Sequence, residues 1–313
     1  MRKILFTIVI LVSAVAVKAS ESEIVLNTST GKIFGSLLTP DNDPKDMVVL
    51  FISGSGPMDR DGNRPQMENN SIRFLAEDLN HSGFPSVRYD KRGIAASVAS
   101  GSKEEDLRFT HYADDVRAWI DFLSKNYKRV VVIGHSEGAQ LGVLAAIDNP
   151  KVAAVVSIAG LGRRLDEVIR AQLTNADPSL AFLGMAEPFI ESLKRGVMVD
   201  NVPPILLSLF RPSIQPYMIS LFAADPATEI ARLTVPVLII QGDTDIQTLP
   251  EDAILLHKAQ PKATLRIIPN MNHVFKEIST TDQMLQLQTY VNPNLKNIPA
   301  LSSEIVEFIK SIR

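Results

Sequence analysis

The sequence contains no cysteine, and this absence excludes two ways of holding a protein in place. A chain without cysteine has no structural disulfide and no lipid anchor attached to a cysteine side chain. Its stability must therefore come from a hydrophobic core. A chain of 313 residues is long enough to bury a core of sufficient size without covalent cross-links.

The sequence also lacks a strong charge of either sign. Thirty-two Lys and Arg residues face 35 Asp and Glu residues, so the formal net charge is −3, and no run of basic residues occurs. Because nucleic-acid-binding proteins usually carry a basic patch, we expect no nucleic-acid partner. The sequence has neither a Gly-x-x-x-x-Gly-Lys loop nor a His-Glu-x-x-His helix, and we expect no metal and no cofactor.

The first residues differ from the rest of the chain. Arg2 and Lys3 precede an almost unbroken apolar stretch, Ile4–Val17, and Val17-Lys18-Ala19 fits a cleavage site after Ala19. This pattern predicts a signal peptide over residues 1–19, with an uncleaved membrane anchor as the alternative. We expect a periplasmic or secreted protein with no stable membrane anchor after cleavage.

Short apolar runs closed by Gly, Pro, Asn or Asp predict a buried, mostly parallel sheet. Continuous runs, in place of alternating ones, are typical of strands covered on both faces, and the stretches between them have helical periodicity. A hairpin around Thr30-Gly31 predicts an antiparallel start. The fold class is therefore α/β, with helices on both sides of the sheet. The six runs are Met47–Ile52, Ser86–Tyr89, Val130–Ile133, Ala153–Ile158, Val235–Gln241 and Ala263–Ile268.

A long segment without a strand interrupts this alternation. Residues 162–230 are helical in character and contain several prolines, and about seventy residues is too long for a simple crossover. We interpret this segment as an inserted helical cap, and residues 20–161 and 231–313 as the core. The alternative is a packed excursion with no role in binding.

The clearest chemical motif is Gly134-His135-Ser136-Glu137-Gly138, which follows a buried strand and precedes an apolar helix. A serine at such a sharp strand-to-helix turn is pushed clear of the sheet, and the small neighbours let strand and helix approach closely. We therefore predict that Ser136 is a catalytic nucleophile.

A serine nucleophile requires a base and an acid that orients the base. Among the five histidines, His273 lies in a polar loop directly after the last strand, at the edge where Ser136 emerges, and we predict it to be the base. We expect His135 to point to the opposite side of the turn. The strand Val235–Gln241 ends near Asp245, the predicted acid, with Asp243 as the alternative. The order Ser, Asp, His is that of the α/β-hydrolase fold.

The negative oxygen of an acyl-transfer intermediate needs preset N–H donors. We predict the backbone N–H groups of Glu137, after the nucleophile, and of Ser55, in the glycine-rich loop after the third strand.

Two further motifs carry a resemblance to a known family. The stretches Gly54–Gly62 and Arg88–Gly93 are similar to motifs of the α/β-hydrolase superfamily, in particular of its bacterial esterase and serine-aminopeptidase-like branch. The sequence departs from many members at Ser53, where they have His. The resemblance implies a small acyl substrate. We expect Asp90 and Arg92 to tie loops together near the site, with substrate contact as the alternative.

The predicted activity is hydrolysis of carboxylic esters through an acyl-serine intermediate. The alternatives are an aminopeptidase, amidase or thioesterase with the same triad, or a non-catalytic periplasmic binding protein. We expect apolar cap residues either to line an acyl pocket or to form the core of the cap. These residues are Leu206, Leu207, Leu209, Phe210, Met218, Leu221 and Phe222.

Overall fold

The computed structural model describes residues 20–176 and 179–312. The predicted signal peptide, residues 1–19, lies outside these described residues. No helix within the described ranges is both long and apolar enough to cross a membrane.

Eight strands form one sheet in the order β1-β2-β4-β3-β5-β6-β7-β8. The pairs β1–β2 and β2–β4 are antiparallel and all the other pairs are parallel. This arrangement confirms the predicted fold class and the antiparallel hairpin at its start. The strands are β1 (Ser20–Thr28), β2 (Gly31–Thr39), β3 (Met47–Ile52), β4 (Ser86–Tyr89), β5 (Arg129–His135), β6 (Val152–Ile158), β7 (Val237–Gly242) and β8 (Thr264–Ile268).

Helices connect the parallel strands and cover both faces of the sheet. Five of them lie between β6 and β7, in the segment predicted as a cap, whose limits at residues 162 and 230 stay a prediction. The helices are α1 (Ser71–His81), α2 (Phe109–Leu123), α3 (Glu137–Ala146), α4 (Leu165–Ala176), α5 (Ala181–Lys194), α6 (Leu207–Phe210), α7 (Gln215–Phe222), α8 (Pro226–Ile230), α9 (Pro250–Ala259), α10 (Gln283–Tyr290) and α11 (Pro299–Ser311).

Strand β3 shows why its sequence is apolar at every position. Successive side chains of a strand point to opposite faces of the sheet. Val48 and Leu50 pack into one apolar cluster together with side chains of α2 and α3. Met47 and Val49 pack into a second cluster, which includes side chains of α1 and α11. Both faces are therefore core, and the strand runs directly towards the edge where the candidate site lies.

One buried cation outside the candidate site affects stability. Lys276 is fully buried, and its Nζ donates a hydrogen bond to Oδ1 of Asn297 at 2.8 Å. Among residues 20–176 and 179–312, no carboxylate oxygen lies within 4.0 Å of this ammonium. Burial, together with the nearby charge of Lys296, lowers the pKa of Lys276 to about 7.

We expect Lys276 to make folding stability rise with pH. Between the folded pKa of about 7 and the ordinary value of 10.5, the unfolded chain holds the proton that the folded protein has lost, so raising the pH favours folding. In Lys276→Met this rise should be absent, as measured by urea unfolding from pH 6.5 to 9.5. The exposed Lys262→Met should keep the wild-type profile. If the free energy of unfolding depended on pH in the same way in wild type and in Lys276→Met, this expectation would be contradicted.

Candidate active site

Ser136 occupies the turn that joins β5 to α3. Its backbone has φ 55° and ψ −123°, a conformation that L-residues rarely adopt, and its N–H donates to the carbonyl oxygen of Ile158 at 2.9 Å. Strain of this kind is found at functional sites, where the surrounding structure holds the residue in place. The turn thus presents the hydroxyl at the carboxyl end of the sheet.

The two glycines that flank Ser136 are required by close backbone packing. A Cβ at position 134 would lie 2.1 Å from the carbonyl oxygen of Gly138, and a Cβ at position 138 would lie 2.3 Å from that of Ile52. Neither distance is possible for a real side chain. The Gly-x-Ser-x-Gly pattern therefore has a steric cause, since strand β3, strand β5 and helix α3 meet at this point.

His273 and Asp245 form a buried hydrogen-bonded pair beside this turn. Nδ1 of His273 lies 2.8 Å from Oδ2 of Asp245, and both side chains are at least 95% buried. Because an ionised carboxylate only accepts hydrogen bonds, the proton of the neutral imidazole lies on Nδ1. Nε2 then has a free lone pair, which is the state that a general base requires.

Asp245 is held as a carboxylate by donors on both of its oxygens. Oδ1 accepts the N–H groups of Gln247 at 2.7 Å and Thr248 at 3.0 Å, and Oδ2 also accepts Nε2–H of Gln241 at 3.0 Å. Burial alone would raise the pKa of Asp245. The charge and hydrogen bond of His273, together with the amides of Thr248 and Gln247, outweigh burial, and the pKa lies below its usual value.

The alternative acid, Asp243, lies elsewhere. It is exposed, and its Oδ1 accepts the backbone N–H of Asn270 at 2.6 Å. This contact ties the loop after β7 to the loop that carries His273. The geometry therefore favours Asp245 over Asp243 as the partner of the imidazole.

Ser136 and His273 face the same small cavity, of about 70 Å³, which Gly54, Ser55 and His135 also line. Within the described parts of the chain, the Ser136 hydroxyl donates no hydrogen bond and accepts none. Catalytic hydrogen bonds often tighten only when substrate is bound. The structure thus brings all three predicted triad residues to one edge of the sheet.

The expectation that His135 points away from the site is wrong. Its ring lies 4.7 Å from the ring of His273, and its Nε2–H donates to the carbonyl oxygen of His273 at 2.9 Å. Burial, together with the neighbouring His273, lowers the pKa of His135 to about 3, so that His135 stays neutral. It supports the loop that carries the candidate base. Nothing in the sequence indicated this contact, because residues 135 and 273 meet only in the folded chain.

The two predicted oxyanion donors both have free N–H groups. Glu137 is the first residue of α3, where backbone N–H groups have no partner within the helix. Ser55 lies in the loop after β3 and lines the cavity of Ser136. Neither N–H donates a hydrogen bond to another described residue. Both are therefore available to a substrate oxygen.

A larger cavity, of about 410 Å³, is lined by Glu137. Its walls are more apolar than polar but carry several charged and hydroxyl groups, and they include side chains of the core and of the predicted cap. Among the lining residues are Lys91, Arg92, Tyr112, Glu137, Arg211 and Tyr217.

The idea of an apolar acyl pocket made by the cap leucines and phenylalanines is not supported. Leu206, Phe210 and Phe222 are fully buried in the main apolar cluster, and Leu207 is 39% exposed. None of the seven residues lines either cavity beside Ser136. Six of the seven belong to this apolar cluster or pack against it, as in the alternative interpretation, and Leu207 does not.

Asp90 and Arg92 make ion pairs that tie separate parts of the chain together, as expected. The Asp90 carboxylate accepts Nε–H and Nη2–H of Arg60, and Arg92 binds the Asp115 carboxylate through Nε and Nη2. In residues 20–176 and 179–312 no group of three or more His, Asp or Glu side chains is arranged to hold a metal ion.

Comparisons with known proteins show which family the chain resembles. The model of the alpha/beta hydrolase family matches residues 49–277. The chain is 31% identical over 265 residues to the esterase EstD of Thermotoga maritima; the match covers 81% of this chain and 60% of that protein. The chain therefore spans less than two thirds of the length of that relative.

Solved structures show the same fold at low identity. Est1E of Butyrivibrio proteoclasticus, solved with ferulic acid bound, superposes with a TM-score of 0.62 at 19% identity and covers 92% of this chain and 99% of its own. The Pyrococcus furiosus esterase Pf2001 gives a TM-score of 0.59 at 16% identity, over 93% and 90% of the two chains.

Proposed function

The chain belongs to the alpha/beta hydrolase family, and from this we propose that it hydrolyses carboxylic esters of small acyl substrates. The observation that supports the proposal most is the buried His273–Asp245 hydrogen bond at 2.8 Å beside the strained Ser136 turn. The relative that is 31% identical to the chain over 265 residues is named an esterase.

In the proposed mechanism the Ser136 hydroxyl attacks the ester carbonyl while Nε2 of His273 takes its proton. His273 then gives this proton to the leaving alcohol, which departs as the acyl-Ser136 ester forms. Water, activated by the same Nε2, hydrolyses the acyl-enzyme and restores the serine. Asp245 keeps the Nδ1 proton in place and stabilises the imidazolium, and no cofactor takes part.

The negative oxygen of each tetrahedral intermediate is stabilised by preset donors. The free N–H groups of Glu137 and Ser55 supply them, and the Glu137 donor also lies at the start of helix α3, where the helix dipole favours negative charge. The larger cavity that Glu137 lines is large enough for one part of a small ester.

A fluorophosphonate probe tests the proposal directly. We expect covalent labelling of the peptide that carries Ser136, identified by mass spectrometry. An ester that the protein hydrolyses should compete with the probe and reduce this labelling. A silent binding protein would leave Ser136 unmodified. Because the same three side chains also cleave amides and thioesters, a panel of p-nitrophenyl esters, aminoacyl anilides and acyl thioesters decides the bond type. Faster cleavage of anilides would favour the peptidase alternative.

We also propose export to the periplasm or the exterior, supported by the basic and apolar pattern of residues 2–19. Cell fractionation together with N-terminal sequencing tests it, and mature protein that begins at Ser20 is the expected result. An intact N-terminus on cytoplasmic protein would contradict it.

Substrates with a carboxylate are expected to be preferred because of Arg64. This exposed side chain lines the cavity of Ser136, and its Nε–H points at the sulfur of Met67 at 2.8 Å. Among the described ion pairs, none involves Arg64. The guanidinium is therefore free to bind an anion at the mouth of the site.

We expect Arg64→Gln to lower kcat/KM for a p-nitrophenyl hemisuccinate by about threefold to tenfold, in keeping with an ion pair near solvent. The neutral p-nitrophenyl butyrate should change by less than about twofold. The difference between the effects of Arg64→Gln on the two esters should be smaller in 0.5 M NaCl, because salt screens exposed charges. An equal loss of kcat/KM for both esters would show that Arg64 does not distinguish a charged substrate from a neutral one.

A further inference from the structure

Lys91 is a buried cation next to the loop that carries Ser55. Its side chain is 1% exposed, and its Nζ donates a hydrogen bond to the carbonyl oxygen of Gly54 at 2.5 Å. Within the described chain, no carboxylate lies within 4.0 Å of this nitrogen. Burial of a lysine without an ion pair costs folding free energy, so that a role beyond stability is expected.

The residues on both sides of Lys91 are firmly anchored. The Asp90 carboxylate lies 2.7 Å from Nη2 of Arg60, and Nε of Arg92 lies 2.6 Å from the Asp115 carboxylate. These ion pairs, both largely buried, hold the backbone at position 91. The Lys91 side chain therefore approaches Gly54 from a fixed point.

The carbonyl that Lys91 binds belongs to the same peptide unit as the Ser55 N–H. The described chain contains no cis peptide bond. In a planar trans peptide the C=O and the N–H point in opposite directions. A donor that holds the Gly54 oxygen on one side therefore directs the Ser55 N–H to the other side.

The cavities on the two sides of this loop agree with that orientation. Lys91 lines the larger cavity, together with Glu137. Gly54 and Ser55 line the small cavity of Ser136, and a Cβ built on Gly54 would lie 3.2 Å from Cβ of Ser136. The loop thus separates the lysine from the nucleophile.

We propose that Lys91 is a positioning residue, which acts through the Gly54–Ser55 peptide to keep the Ser55 N–H aimed at the developing oxyanion. This inference rests on the proposed esterase function. Burial lowers the pKa of Lys91, with the charge of Glu137 opposing the effect. Because both the ammonium and the neutral amine carry N–H donors, the hydrogen bond to Gly54 is made in either state.

Lys91→Met tests the proposal, because methionine has a similar length and no donor. We expect kcat to fall about tenfold to a hundredfold, less than the ~10²–10³ lost when an oxyanion donor is removed outright. KM should change by less than about threefold. Affinity for a trifluoromethyl ketone, whose adduct with Ser136 carries an oxyanion, should fall by the same factor as kcat.

The matched control is Arg88→Met, which removes a buried cation three residues earlier, on β4. The partners of Arg88 are Glu21 and Asp61, and neither touches the Gly54–Ser55 peptide. We expect lower stability and a kcat within about twofold of wild type. A folded Lys91→Met with wild-type kcat and ketone affinity overturns the proposal, as does an equal loss of kcat in the control.

A crystal structure of wild type phosphonylated on Ser136 keeps the proposal testable if Lys91→Met does not fold. The expected result is a phosphoryl oxygen within hydrogen-bond distance of Ser55 N, with Lys91 Nζ still on the Gly54 oxygen. A phosphoryl oxygen turned away from Ser55 N overturns the proposal. Failure of Ser136 to react at all is a different outcome, since it removes the esterase function and not only the role of Lys91.

Discussion

We expect Ser136→Ala to lower kcat/KM for a p-nitrophenyl ester by about 10⁴-fold or more, since loss of a triad nucleophile costs up to ~10⁶ in kcat. Stability should stay near that of wild type. The Ser136 hydroxyl makes no hydrogen bond to another described residue, so its removal leaves no partner unsatisfied. Alanine also carries the same Cβ into the strained turn, at φ 55°.

The matched control for this variant is Ser302→Ala on helix α11. Its hydroxyl donates to the carbonyl oxygen of Pro299 at 3.2 Å and also hydrogen-bonds the Asp78 carboxylate on helix α1, and neither contact involves a residue of the candidate site. We expect unchanged turnover and full labelling by a fluorophosphonate. Urea unfolding of Ser136→Ala should give the wild-type midpoint within the error. Retained turnover in a Ser136→Ala preparation that no longer takes the label would remove Ser136 from the mechanism.

Asp245→Asn is expected to cost about 10⁴ in kcat, the loss typical of a triad acid changed to its amide. The new amide would offer an N–H where the His273 Nδ1–H now needs an acceptor, and the imidazole would turn to the other tautomer. Nε2 of His273 would then carry the proton and could not accept one from the Ser136 hydroxyl. Because the pKa of Asp245 is already below its usual value, the loss should be the same at every pH from 6 to 9.

The neighbouring acid supplies the control for this change. Asp243→Asn keeps a side-chain oxygen that can accept the Asn270 N–H, whose nitrogen lies 2.6 Å from Oδ1 of Asp243. The changed side chain does not contact His273. We expect kcat within about threefold of wild type, an order-of-magnitude bound set by the usual small effect of exposed substitutions. If Asp243→Asn lost activity and Asp245→Asn kept it, the acid assignment would be reversed.

Asp245 also links stability to acid pH. A carboxylate whose folded pKa lies below its unfolded value stabilises the protein fully above that unfolded value, near 4. The stabilisation is lost as the pH falls through the folded pKa. Acid unfolding of Asp245→Asn, followed by circular dichroism between pH 5 and 2, should therefore depend less on pH than that of wild type.

Most strands were predictable because the buried runs are apolar at every position. The run Met47–Ile52 matches β3 in full, since one cluster of the core lies on each side of it. The run Val235–Gln241 begins two residues before β7. Pro236 lies within that run and has no N–H to give to a strand ladder, which accounts for the later start.

The turn at Ser136, the proposed nucleophile, was predictable because its cause is local. A strand, a serine between two glycines and a helix are neighbours in the sequence, and the steric demand at Gly134 and Gly138 acts within five residues and on the adjacent strand. His273 and the pair of candidate acids were found from their places after β8 and β7. Parallel strands end at the same edge of a sheet, so loops that follow them meet there.

The sequence by itself thus determined the α/β sheet, the turn at Ser136 and the loops that hold the candidate base and acid. Only the tertiary structure decided between Asp245 and Asp243, turned His135 towards His273 and brought Lys91 to the Gly54 carbonyl. Apolar periodicity and turn chemistry act between near neighbours and leave a local pattern. The direction of a polar side chain depends on contacts between residues 28 to 138 positions apart, which no local pattern records.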